Sequence, residues 1–152
     1  MKTLNVLLDG NARCKVTDFG LSQSDDLNTA ATMATAAGNH AKGTPAYMAP
    51  ELLAENIFSE KADVYAYAII VWEVLTGGWP WQGLNPMQVG MQILMQKARP
   101  AIPENAPADL ASLMTRCWAH EAGERPTFAE VKAELVPARG GPLSPSASAS
   151  AL

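Results

Sequence analysis

An aspartate at the end of a strand, followed by glycine and a long polar stretch, is well placed to hold a divalent cation. Asp18-Phe19-Gly20 has that form. Hard cations such as Mg²⁺ take carboxylate oxygen and commonly complete their shell with substrate phosphates. By itself the tripeptide is better read as a turn that closes a hairpin. A second oxygen-bearing side chain, Asn5, lies thirteen residues earlier across what reads as a hairpin, so both reach its open end.

The elements that must position these two residues follow from pattern. LNVLLD is an apolar run of strand length, Gly10-Asn11 is a turn pair, and RCKVTD returns, which makes a hairpin of residues 4–18. From Leu21 to Lys42 there is no apolar periodicity, and loops of such length in compact domains usually serve function. Ser59 caps a helix that starts near Glu60 and stops at Gly77-Gly78. That helix is apolar nearly all round and belongs at the centre of the domain. In MQVGMQIL a second helix puts Met87, Met91 and Leu94 on its apolar face, with Gly90 weakening it. ADLASLMTRCW spaces Leu110, Leu113, Met114 and Cys117 for a third, and Thr127 with Glu130 forms a capping box for a fourth, FAEVKAEL. From Val136 on, the Pro, Gly, Ser and Ala bias cannot bury enough surface to fold. The expected organisation is one folded unit over residues 1–136 and a disordered tail over residues 137–152.

Composition sets further bounds. A chain of 152 residues suffices for one domain with a core, and a net charge of −4 gives no basic face for nucleic acid. The longest apolar stretch, Val64 to Leu75, contains Glu73 and is too short to span a bilayer. The N-terminus has no secretory h-region, and Cys14 and Cys117 have no metal-type spacing. They read as reduced core thiols of an intracellular, cytoplasmic protein. His40 and His120 have no ligand-spaced partners and read as surface residues. Trp72, Trp79, Trp81 and Trp118 read as packing aromatics.

Further along the chain come GTPAYMAPE (43–51), KADVYAYAIIVWE (61–73) and ERPTF (124–128). Together with Asp18-Phe19-Gly20 in this order, they resemble the protein-kinase family, whose signatures include H-R-D-L-x-x-x-N, then D-F-G, then A-P-E. Asp63-Val64-Tyr65, Cys117-Trp118 and Arg125-Pro126 match further marks of that family. The resemblance covers residues 1–136, and AYMAPE is closer in wording to tyrosine-kinase-like serine/threonine kinases than to true tyrosine kinases. It implies an α+β, mostly helical fold: a kinase-like C-terminal lobe with one β-hairpin.

The resemblance also implies roles. Asn5 and Asp18 would hold Mg²⁺ against ATP phosphates, Leu7 would pack under the adenine ring, and Lys2 would neutralise charge on the transferred group. Thr44 to Glu51, including Pro50, would receive a protein substrate. Phe19 and Gly20 would open the activation segment, where Ser22, Ser24, Thr29, Thr32, Thr35 and Thr44 are candidate phosphorylation points; for any single one, a solvated loop hydroxyl is the favoured reading. Glu51 would pair with Arg125 in the interior. Asp63 would accept hydrogen bonds from the catalytic loop, or else simply face the helix dipole.

Counting back from Asn5, the catalytic-loop aspartate falls one position before Met1. The sequence contains neither G-x-G-x-x-G nor V-A-I-K, so the general base and the upper wall of the nucleotide cleft are absent from it. A general base is worth about 10²–10⁴-fold, and the lost binding geometry counts for more. The expectation is therefore a truncated kinase lobe that is inactive alone, with a partner able to supply the missing lobe. The competing expectations are a non-catalytic interaction module and, with less support, a stand-alone ATP-binding protein.

Overall fold

The computed structural model describes residues 1–18 and 44–135. Phe19, Gly20, His40, the candidate hydroxyls from Ser22 to Thr35, and the expected tail lie outside the described residues.

The chain opens with a 3-10 turn, Thr3–Asn5, that runs directly into strand β1, Val6–Leu8. β1 pairs antiparallel with β2, Cys14–Val16, with Leu7 opposite Lys15 and Leu8 opposite Cys14. The connection is broader than a Gly10-Asn11 pair. Asp9 Oδ1 accepts from the Asn11 and Arg13 amides at 2.9 and 3.0 Å, and Ala12 takes the left-handed conformation at φ +58°. Asp9 thus supplies an Asx-type closure in which the aspartate replaces a backbone acceptor. Among the described residues no second layer covers β2, and Cys14 is exposed there rather than a core thiol.

A helix that periodicity did not reveal, α1 (Pro50–Glu55), follows a 3-10 turn at Pro45–Tyr47. Pro50 occupies its first position, where a missing N–H costs nothing, and Asn56 closes it at φ +57°. Helix α2 spans Glu60–Thr76. Ser59 caps it by accepting from the Ala62 amide at 3.2 Å. At its other end Gly77 adopts φ +64°, where a Cβ would be strained, and donates to the Glu73 carbonyl at 2.8 Å. Val64, Tyr65, Ala66, Ala68, Ile69 and Ile70 are buried around the helix, so α2 is the axis of the core.

Helix α3 (Pro86–Met95) starts on a reciprocal Asn85–Gln88 capping box. It buries Val89 and Ile93. Met87, Met91 and Met95 face solvent and Leu94 is half-buried, which reverses the face expected from the methionine spacing. Helix α4 (Ala108–Cys117) packs on α2 through Leu113, Met114 and Cys117. Burial pushes the Cys117 thiol up to about 11. Helix α5 (Phe128–Leu135) is tied by Thr127 and Glu130, the Thr127 amide donating to Glu130 Oε2 at 2.7 Å and the Glu130 amide to Thr127 Oγ1 at 3.3 Å.

Of the tryptophans, Trp118 is buried and Trp72 donates its indole N–H to the Ala101 carbonyl at 2.8 Å. Trp79 departs from the packing role and stands 64% exposed. His120 is half-buried rather than at the surface, with its Nδ1 enclosed. Tyr65 lies between two guanidinium groups, Arg99 at 5.0 Å and Arg125 at 5.2 Å from its ring centroid.

Candidate functional site

The open end of the hairpin gathers the chain's first candidate pair. The Asn5 amide donates to the Lys2 carbonyl at 2.9 Å, which closes the turn. The Asn5 carbonyl in turn accepts from the Thr17 amide at 2.8 Å and from Thr17 Oγ1 at 3.3 Å. The next residue, Asp18, takes φ +61°, a conformation that aspartate tolerates better than most residues. Its Oδ2 then lies 3.4 Å from Asn5 Nδ2.

A half-turn of the Asn5 amide exchanges Nδ2 for Oδ1, so one amide oxygen and one carboxylate lie within reach of a single cation. Such a donor set fits Mg²⁺, which binds through one or two carboxylates plus phosphates and water rather than in a closed protein cage. Among the described residues no group of three or more His, Cys, Asp or Glu could hold a metal. Lys2 precedes the turn and is half-buried, while Leu7 is 52% exposed on β1.

Behind this turn is a cluster that sequence reasoning missed. Glu73, a buried carboxylate on α2, accepts from Tyr47 Oη at 2.8 and 2.9 Å through its two oxygens and also from the Thr3 hydroxyl. Desolvation raises its pKa, only partly offset by the Tyr47 hydrogen bond. Burial also raises the pKa of Tyr47. The three residues tie the Thr3–Asn5 turn, the 44–51 segment and the central helix together. No local pattern announces them, since Thr3 and Glu73 are 70 positions apart.

A second cluster fixes the 44–51 segment from below. Arg125 donates to Glu51 Oε1 at 2.7 Å and Oε2 at 2.8 Å. Its remaining N–H groups reach the carbonyls of Lys61 at 2.9 Å, Ala119 at 2.9 Å and His120 at 3.0 Å. All five guanidinium donors are satisfied, and the side chain is fully enclosed. Burial works to raise the Glu51 pKa, but the Arg125 hydrogen bonds and charge outweigh it and hold the carboxyl below its ordinary value. Pro50 is buried and Thr44 exposed. Asp63 is exposed on the first turn of α2, with the Met1 amino group 3.6 Å from its Oδ1.

Known proteins match this chain in sequence over most of its length. A family model described as protein tyrosine and serine/threonine kinase matches residues 1–135. A dual specificity protein kinase of Dictyostelium discoideum is 41% identical over 132 residues, covering 86% of this chain and 17% of its own. A probable serine/threonine-protein kinase of the same organism is 38% identical over 131 residues, covering 86% and 14%. A serine/threonine-protein kinase of Arabidopsis thaliana is 36% identical over 135 residues, covering 89% and 22%. The chain belongs to the protein kinase family, and its mostly helical body with one hairpin is the C-terminal lobe of that fold. It spans less than a quarter of the length of each of these relatives. No helix among the described residues is long and apolar enough to cross a membrane.

Proposed function

We propose that residues 1–135 form the lower wall of the phosphoryl-transfer cleft of a serine/threonine protein kinase. The observation that carries this reading is the meeting of Asn5 and Asp18 at the hairpin's open end. Serine/threonine specificity rests on the names of the relatives. When bound, Mg²⁺ with ATP would supply the transferable phosphoryl group and neutralise part of its charge.

The chain's own residues divide the remaining work. Asn5 and Asp18 offer the metal its protein oxygens. Lys2, one residue ahead of the turn, offers a cation toward the phosphoryl group. Leu7 offers an apolar floor to the base. The 44–51 segment, held by Tyr47 on one side and Glu51 on the other, is where a protein substrate would lie, and phosphorylation would act in the segment that begins at Phe19 and Gly20. Residues 1–136 would be the kinase-lobe portion, with residues 137–152 a tail outside it.

A polypeptide of this sequence alone is not expected to transfer phosphate, because a cleft with one wall cannot exclude water or hold ATP in line. The test has two arms. With radiolabelled ATP, Mg²⁺ and a mixture of Ser/Thr peptides, the purified chain should give no transfer above background. Mg²⁺ titration followed by amide NMR should shift Asn5 and Asp18, and Asp18→Asn should weaken that response at least tenfold. Transfer by the chain alone would overturn its inactivity; a Mg²⁺ response indifferent to Asp18 would overturn the metal assignment.

A further inference from the structure

Between α4 and the 3-10 turn Ala122–Glu124, two guanidinium groups hold three successive carbonyls. Arg99 Nε donates to the Trp118 carbonyl at 2.7 Å, Arg125 Nε to Ala119 at 2.9 Å, and Arg125 Nη2 to His120 at 3.0 Å. His120 is therefore bonded to the same guanidinium that grips Glu51 and fixes the 44–51 segment. Its ring is half-buried, and Nδ1 is enclosed with no hydrogen-bond partner among the described residues. In a neutral imidazole that nitrogen can remain a bare acceptor, whereas an imidazolium has donors at both ring nitrogens. A proton taken from solvent by Nδ1 would leave an enclosed N–H with nothing to accept it.

The charges around the ring act in the same direction. Lys97 and Arg99 face it from the segment after α3, and Arg125 from the turn before α5. The acidic groups are Glu121 beside it and Glu51 on α1. Three cations thus oppose two carboxylates, and Glu51 is already engaged by Arg125. From α2, Tyr65 lies between the two guanidinium groups, its phenol pushed up to about 12 by burial, so it adds no charge. Burial first, then Lys97 and Arg99, hold the His120 pKa below its ordinary value of 6.5. Histidine is the side chain that ordinarily changes charge between about pH 5 and 8.

We propose that His120 is a proton-sensitive latch on the Glu51–Arg125 anchor. Neutral, it leaves the Arg125 fork closed on Glu51; protonated, it repels that fork and loosens the 44–51 segment. That this segment is the one a protein substrate meets rests on the kinase reading, whereas the latch itself does not. The unfolded chain takes up the proton near pH 6.5 and the folded chain only at lower pH. Stability therefore falls as pH drops through that interval, by up to about tenfold in the folded-to-unfolded ratio per pH unit. Glu73 acts in the opposite sense, so the comparison is made against His120→Gln.

The test is an NMR titration of the purified chain from about pH 7.5 to about pH 5. The sequence has two histidines, and a His40→Gln background leaves one ring to follow. The His120 ring should titrate with a midpoint below 6.5, and the Tyr47 and Glu51 amides should move with that same midpoint. Arg125 Nε–H should exchange faster with water as the ring is protonated, against the base-catalysed trend that slows such exchange in acid. His120→Gln should abolish the coupled amide shifts and flatten the stability profile from pH 6.5 down to the ring's midpoint, read by urea denaturation. A ring midpoint at or above 6.5, silent Tyr47 and Glu51 amides, an Arg125 Nε–H that only slows, or shifts that survive His120→Gln would each overturn the latch. The Mg²⁺ titration of Asp18→Asn decides the kinase reading separately. Coupled shifts without an Asp18-dependent Mg²⁺ response keep the latch and remove its bearing on a substrate; the reverse removes the latch alone.

Discussion

At the scale of single residues, two carboxylates on the same scaffold, the half-buried Glu51 and the buried Glu73, behave in opposite ways. Glu51 has a fully satisfied guanidinium against it and its pKa is lowered from 4.5. In the unfolded chain it takes up a proton before it does in the folded one, so the Arg125 pair stabilises above about pH 4.5 and is lost as pH falls through the lowered value. Removing Arg125 leaves the carboxylate uncompensated, a change that costs about 3–5 kcal/mol when an ion pair of this kind is broken. Arg125→Ala should therefore lower the melting temperature by about ten degrees or more, and Arg125→Lys should restore little, because three donors cannot replace five in a fixed fork. Thermal unfolding by circular dichroism checks both, and a drop too small to measure would sink the pairing's importance. Glu73 has hydroxyl partners and a raised pKa, with desolvation as the main cause. Between 4.5 and that raised value the folded state keeps a proton the unfolded state has lost, so stability falls as pH rises. Glu73→Gln should flatten that part of the stability profile, while retaining hydrogen-bonding capacity toward Tyr47 and Thr3. Chemical denaturation at a series of pH values reads the difference, and an unchanged slope would remove Glu73 as its source.

The elements show where local pattern is decisive and where it is silent. Helix α2 was legible because both of its ends carry their own chemistry: Ser59 accepts from Ala62, and Gly77 supplies the left-handed residue. Ser59→Ala should cost about 1 kcal/mol, measurable as a shift in denaturation midpoint with an unchanged slope. Helix α1 has end signals of the same kind, Pro50 and Asn56, but six residues are too few for periodicity to register. For α3 the period was right and the face was wrong. Met87, Met91 and Met95 recur every four residues, and so do Val89 and Ile93; spacing alone cannot rank the two sets. Packing against α1 and the Pro45–Tyr47 turn selects the second pair. Ile93→Ala should accordingly lose about 2–5 kcal/mol, whereas Met91→Gln should change stability by no more than about 0.5 kcal/mol. Equal losses in guanidinium denaturation would restore the methionine face. The Asn5–Asp18 pair was foreseeable from a hairpin spacing of thirteen, since both partners belong to one local element. The Thr3–Tyr47–Glu73 cluster was not, because its members meet only after three distant segments have packed.

Across the whole molecule, burial is uneven in a way that bears on the site. The core runs along α2 into α4 and gathers Tyr65, Ile69, Met114, Cys117 and Trp118. The hairpin that holds Asn5 and Asp18 contributes only Val6 to it, and every residue of β2 is exposed. A two-stranded hairpin has marginal stability unless it packs on something. Here the attachment is Met1 and Val6 against the core, with the Thr3 hydroxyl bonded to Glu73 just ahead of Asn5. The Asn5–Asp18 pair therefore stands on a sparsely buried part of the described structure, joined to the core through Met1, Val6 and the Thr3 hydroxyl. Amide hydrogen exchange should resolve two tiers, with β1 and β2 opening sub-globally and the Ile69–Ile70 region exchanging only on global unfolding. Thr3→Val keeps the side-chain shape and deletes the hydroxyl that meets Glu73. It should speed exchange across Val6–Leu8 while leaving the α2 amides unchanged, since their protection comes from packing elsewhere. Equal acceleration in both tiers would mean that the hairpin and core unfold as one unit, and that the Thr3–Glu73 contact is not what joins them.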